Sequence, residues 1–125
     1  MLNLNSIMIG TENQKELAAF YEKVIGKKPD MVDSNFSGWM IGSCFLRVGG
    51  HDKVKGKSAN PERILLNFET KDVKEEFNRI KGLGATVVKE PYNPDPQGHG
   101  DVLIATFADP DGNYIQLMTP WEEGK

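Results

Sequence analysis

The stretch Phe107-Ala-Asp-Pro-Asp-Gly-Asn-Tyr-Ile-Gln-Leu-Met118 decides the reading of this chain. Asp109-Pro110-Asp111-Gly112 is a turn with a mechanism, because proline presets one dihedral, aspartate bonds nearby backbone and glycine tolerates a positive φ. Short apolar-alternating runs flank it, Ile104 to Phe107 and Tyr114 to Met118, so the unit predicts a β-hairpin. On the second strand Ile115 and Leu117 point one way and Tyr114, Gln116 and Met118 the other. A glutamine set between a tyrosine and a methionine on one strand face suits the wall of a site better than a core.

Working outward, the spacing predicts two similar halves. In the first, a strand over Asn5 to Ile9 precedes a helix opened by Thr11 and Gln14 at capping-box spacing. Leu17, Phe20, Tyr21, Val24 and Ile25 form its apolar face, and Gly26 closes it with Pro29 just beyond. In the second, a strand over Ile64 to Phe68 leads to a helix capped by Asp72 with Glu75, striped by Val73, Phe77 and Ile80 and ended by Gly84. The offset is roughly 58 residues, near half the chain, which is the mark of an internal repeat. Ser6 superposes on Leu65, Ile9 on Phe68, Thr11 on Thr70 and Gly26 on Gly84. Gly38 to Ile41 and Cys44 to Val48 form strands joined by Gly42-Ser43 in a two-residue turn. Ala85 to Lys89 and the hairpin at Asp109 complete the second half. The lysine- and glycine-rich stretch from Gly49 to Asn60 is expected to be a solvated linker.

Bulk properties bound the answer. The chain has 125 residues, enough for one domain, with 38% hydrophobic and 26% charged residues and a net charge of −3. That balance carries no basic excess to imply a nucleic-acid or membrane partner. The single cysteine, Cys44, allows no internal disulfide, no apolar run reaches membrane-span length, and the polar start lacks a signal-peptide core. The expectation is a cytoplasmic protein.

A βαβββ unit used twice, with LAAFYEKVIG at Leu17 to Gly26 and FADPDGNYIQL near the end, resembles the vicinal oxygen chelate superfamily. This group includes glyoxalase I, extradiol dioxygenases, fosfomycin-thiol transferases and bleomycin-resistance proteins. The resemblance covers nearly the whole chain. It implies an α+β fold in which two βαβββ modules form a curved mixed sheet around a cavity, with the helices on the outer face. It also implies one glyoxalase/bleomycin-resistance-like domain over residues 1–125. Module one covers about 1–50, the linker about 49–61 and module two about 62–125.

Catalytic members hold a divalent metal through three strand positions that fall here on Ser6, Leu65 and Gln116. Leucine has no ligating atom, serine is a poor ligand for zinc, iron or nickel, and one glutamine carbonyl supplies no charge. A slip of one residue would bring in Ile7, Leu66 and Leu117 instead, which is worse. We therefore expect no metal and no other cofactor.

Strand alternation assigns Ile7, Ile9, Leu66, Phe68, Ile115 and Leu117 to the helix side. Ser6, Met8, Phe45, Arg47, Leu65, Asn67, Ile104, Thr106, Tyr114 and Gln116 take the cavity side. The candidate ligand-binding residues are Phe45, Arg47, Asn67, Thr106, Tyr114, Gln116 and His99. An arginine between Leu46 and Val48 must find a partner, since a buried unpaired charge is prohibitive. That partner is either an anionic group of a ligand, which suits the planar fork, or water or a protein carboxylate such as Glu69. Gln116 and Asn67 either face a ligand or satisfy each other. His51 is an exposed loop histidine. His99 lies in the loop from Pro91 to Gly100, long enough to act as a flap, and either touches a ligand there or stands in solvent. Trp39 packs in the core or its rim, Trp121 covers a cavity edge or a subunit contact, and Cys44 points to the helix side as an inert buried thiol.

The leading expectation is a metal-independent glyoxalase-fold protein that binds a small neutral or anionic organic molecule. Two alternatives stand beside it. One is a glyoxalase- or transferase-like lyase or isomerase with a non-standard site, using His99, Tyr114 or Glu69. The other is a structural role with a vestigial cavity. The family's habit of pairing modules across subunits implies a homodimer.

Overall fold

A computed structural model describes residues 1–120, so Trp121 and its expected role lie outside the described residues. The chain divides into two compact units between Lys57 and Ser58. The first holds β1 (Ser6–Thr11), α1 (Gln14–Ile25), β2 (Met31–Val32), β3 (Phe36–Ile41) and β4 (Cys44–Gly50). The second holds β5 (Leu66–Glu69), α2 (Val73–Gly82), β6 (Thr86–Tyr92), β7 (Ile104–Ala108) and β8 (Tyr114–Met118). Each is a βαβββ module with a four-stranded mixed sheet, ordered β1-β4-β3-β2 in one and β5-β8-β7-β6 in the other. In both, the first strand pairs parallel with the last, and the remaining pairs are antiparallel.

Both helices start in a way the sequence reading missed. The Thr11 hydroxyl accepts from the Asn13 N–H at 2.9 Å, and the Thr70 hydroxyl accepts from the Asp72 N–H at 3.1 Å. Asn13 and Asp72 are the N-cap residues, and neither side chain bonds a helix N–H. A threonine bonding backbone two residues on forms its own turn, so the expected capping boxes do not form. The repeat is thus written in the paired threonines. At the far end Gly26 takes φ 85° and its N–H reaches the Glu22 carbonyl, while Gly84 takes φ 92° after a final turn at Leu83.

One face of each sheet is sealed by its helix. In module one Leu17, Tyr21 and Val24 pack with Trp39, Leu46 and Val48, all buried. The Trp39 indole N–H donates to the Lys27 carbonyl at 2.9 Å, satisfying its polar end inside the core. In module two Val73, Phe77 and Ile80 meet Ala105, Phe107, Ile115 and Leu117, and the Phe77 and Phe107 rings stack at 5.0 Å.

Several boundaries differ from expectation. The first strand runs to Thr11, and β5 begins at Leu66, leaving Ile64 exposed and Leu65 ahead of the strand. Gly49 and Gly50 belong to β4, so the linker starts only at His51. The strand expected from Ala85 to Lys89 continues to Tyr92 through register shifts after Val87 and after Lys89, as bulged edge strands do. Cys44 is half-buried at the end of its hairpin, its Sγ 3.9 Å from the Phe45 carbonyl, rather than fully buried.

Candidate functional site

The helix-free face of module one is built by register. Ser6, Phe45 and Met40 form one cross-strand row; Met8, Arg47, Gly38 and Met31 the next; Gly10, Gly49 and Phe36 the third. Phe45 and Arg47 therefore share a face, as alternation requires. Of the strand residues on it, Arg47 alone carries charge. Three glycines leave bare backbone around it. At Gly38 a Cβ would run into the Phe45 ring, so that glycine is what lets the ring lie over the neighbouring strand.

Arg47 is held from below. Its guanidinium carbon sits 3.9 Å from the centroid of the Phe36 ring. Its Nε is out of contact with water and has no hydrogen-bond partner, and no described carboxylate pairs with the side chain. The protein carboxylate, one of the alternatives for its partner, is thus absent among the described residues. A cation over a ring gains about 0.5–2 kcal/mol. A buried donor left without an acceptor costs about 1–3 kcal/mol, so the stack does not clearly compensate it. Phe36 escaped the sequence reading because the strand was started at Gly38. Extending the alternation of Gly38 and Met40 back by two residues would have reached it.

On the helix-free face of module two one row is wholly polar. Asn67, Gln116, Thr106 and Lys89 stand side by side across four strands. The Gln116 amide nitrogen donates to the Thr106 hydroxyl at 3.2 Å, and Thr106 is 6% exposed. Gln116 thus takes Thr106 on β7 as its partner, not Asn67 on β5, while Asn67 stays exposed. Tyr114 lies one row away, opposite Ala108. Lys89 was missed because the shift after Val87 breaks the alternation; its ammonium lies 4.9 Å from the Tyr92 ring centroid. The bulged edge also opens a groove of about 650 Å³ along residues 87–92 and Lys81, wide open to solvent.

His99 is not gathered with these residues. It stands exposed in the loop after β6, its Nδ1 3.6 Å from an Asp95 carboxylate oxygen. Asn93 organises that loop, donating to the His99 and Gly100 carbonyls and accepting from the Asp95 N–H. His51 is likewise exposed, with Nδ1 accepting from the Lys53 N–H.

The three positions that carry the metal in catalytic relatives do not fit one. Ser6 offers a neutral hydroxyl at the exposed start of β1, Leu65 only hydrocarbon, and Gln116 a single neutral carbonyl, its amide nitrogen donating to Thr106. Among the described residues no three His, Cys, Asp or Glu side chains cluster to hold an ion. No described helix is long and apolar enough to cross a membrane.

Comparison with known proteins agrees with this fold. Residues 6–118 match the glyoxalase-like domain family. A 51-residue stretch is 37% identical to the uncharacterized protein YurT of Bacillus subtilis, covering 41% of this chain and 36% of that protein. Among solved structures, a glyoxalase/bleomycin resistance protein/dioxygenase family enzyme from Burkholderia phytofirmans superposes with a TM-score of 0.73 at 22% identity, over 94% of this chain and 98% of that one. A glyoxalase-related enzyme from Fulvimarina pelagi gives 0.76 at 18%, over 96% and 89%. At such identities the structures speak for the fold alone. The chain belongs to the glyoxalase-like domain family.

Proposed function

We propose that this member of the glyoxalase-like family binds a small organic anion without a metal, through Arg47 on the helix-free face of module one. One observation carries the reading: a guanidinium laid on Phe36 with a buried Nε that no described residue satisfies. Arg47 is only half-buried, so a carboxylate meeting the outer part of the guanidinium would supply the charge partner that no described residue provides, and charge-assisted pairs of this kind are the strong ones. The surrounding apolar and glycine surface fits the way small-molecule sites are made, with few polar groups on an apolar wall. Metal independence rests on donor chemistry at Ser6, Leu65 and Gln116. In module two the candidates for acid–base work are dispersed. Tyr114 and Glu69 lie about 13 Å apart along the sheet, four residues at strand rise, and His99 keeps to its loop. Asn67, Thr106, Tyr114 and Gln116 are proposed as polar contacts for a ligand on the helix-free face of module two, considered by itself.

Calorimetric titration of the wild type and Arg47→Ala with a panel of small carboxylates tests the proposal. Binding should weaken at least about tenfold in the variant, the loss expected for a hydrogen bond to a charged group. Excess chelator should leave the wild-type affinity unchanged. Equal affinities for the two proteins, or affinity lost to chelator, would refute it.

A further inference from the structure

The chemistry around Arg47 also bears on which anion is taken, an inference that rests on the anion-binding reading above. We infer that this face selects planar aromatic monocarboxylates over phosphorylated or compact aliphatic anions.

Charge comes first. Arg47 is the sole charged strand residue on a face whose strands otherwise contribute Met8, Met31, Met40, Phe36, Phe45, Ser6 and glycines, with His51 and Val54 of the linker packed over Gly10. One guanidinium neutralises one carboxylate. A phosphate dianion would keep a charge uncompensated against apolar surface, which is costly.

Geometry comes second. The Phe36 ring holds the guanidinium at 3.9 Å, and the planar fork of an arginine matches a flat two-oxygen acceptor. Phe45 stands on the same strand and the same side two residues earlier, about 6.7 Å away at strand rise. The Phe45 ring lies over Gly38, the register partner of Arg47, so a ring carried by a carboxylate seated on Arg47 has an aromatic wall beside it. Met40 faces Phe45 and Met8 faces Arg47 in register, and both side chains are exposed, at 49% and 68%. Polarisable thioethers make favourable contacts with ring edges and adapt to shape. An acetate-sized anion would leave all of this surface unused.

Calorimetry on the full chain with 1-naphthoate, cyclohexanecarboxylate, acetate and phenyl phosphate provides the test, with Arg47→Ala and Phe45→Leu alongside. We expect 1-naphthoate to bind wild type at least about tenfold more tightly than acetate or phenyl phosphate, and about threefold more tightly than cyclohexanecarboxylate. Phe45→Leu should weaken 1-naphthoate by about fivefold and leave acetate unchanged. The ligand series on wild type stands without any variant, so a poorly folded Phe45→Leu does not spoil it. If all four bind wild type alike but fail on Arg47→Ala, the selectivity inference is overturned and anion binding stands. Phenyl phosphate in first place overturns it equally. If wild type and Arg47→Ala cannot be told apart with any probe, the anion-binding reading itself falls.

Discussion

Arg47 presents a conflict that a single substitution can resolve. Its Nε is buried without an acceptor, so the folded chain carries a destabilising group on a face where Met8 and Phe45 are its neighbours. Arg47→Met keeps the stem's packing and removes the orphaned donor. The variant should melt no lower than wild type, within about 0.5 kcal/mol or higher, while losing carboxylate binding. A fall of several degrees in thermal unfolding would mean that the arginine holds the fold together instead. Asp30 is the opposite case, a charge whose place is structural. Its carboxylate accepts from the Met40 N–H at 2.7 Å and from Lys27 Nζ at 3.0 Å, and these bonds hold its pKa below the ordinary 3.8. A folded pKa lower than the unfolded one adds stability above the unfolded value, and that stability is lost as pH falls through the folded value. Asp30→Asn should therefore melt below wild type at neutral pH, with the gap closing once the medium is acidic enough to protonate Asp30. A gap unchanged across that range would rule the charge out. That Arg47 shares a strand face with Phe45 was legible from alternation alone. That no described carboxylate pairs with it was not, because partners are set by which residues of other strands come alongside.

At the scale of elements, the hairpin that opened the sequence reading is organised by one carboxylate. Asp109 is buried; one oxygen accepts the N–H groups of Asp111 and Asn113, and the other accepts the Asn113 amide, each at 2.9 Å. Gly112 follows at φ 82° with its N–H on the Asp109 carbonyl. Asp109→Ala should cost about 2–4 kcal/mol in chemical denaturation, since three hydrogen bonds lose their acceptor inside the loop. Asp109→Asn sets two amide NH₂ groups against each other. Adding Asn113→Asp should recover at least about 1 kcal/mol of that loss, and strict additivity of the two changes would contradict the bonding scheme. This loop, both helices and the Gly42-Ser43 turn could be read in advance because their signals are local: proline, glycine and spacing within a few residues. The caps failed because Thr11 and Thr70 compete for the same turns. The Gln116–Thr106 pair escaped because cross-strand register is non-local, and the β6 bulges hid Lys89 by shifting the period of two.

For the whole molecule, family membership over residues 6–118 fixes the architecture, and the site must carry the function. Both sheets keep a helix-free face. That of module one exposes Met8, Met31 and Met40, the apolar surface that flanks the proposed ligand site. We propose a homodimer, as the family resemblance implies, formed away from the Arg47 face so that the site stays open, and light scattering at micromolar concentration should return twice the mass of 13.9 kDa. A monomer mass would refute the assembly without touching the anion site. The central claim concerns what satisfies Arg47. Crystals grown with a chelator and soaked with benzoate answer it directly. The account predicts a carboxylate on the Arg47 guanidinium, with N···O separations of about 2.7–2.9 Å and no metal nearby. Arg47 engaged instead by a carboxylate of the protein, with benzoate bound elsewhere or not at all, would contradict it.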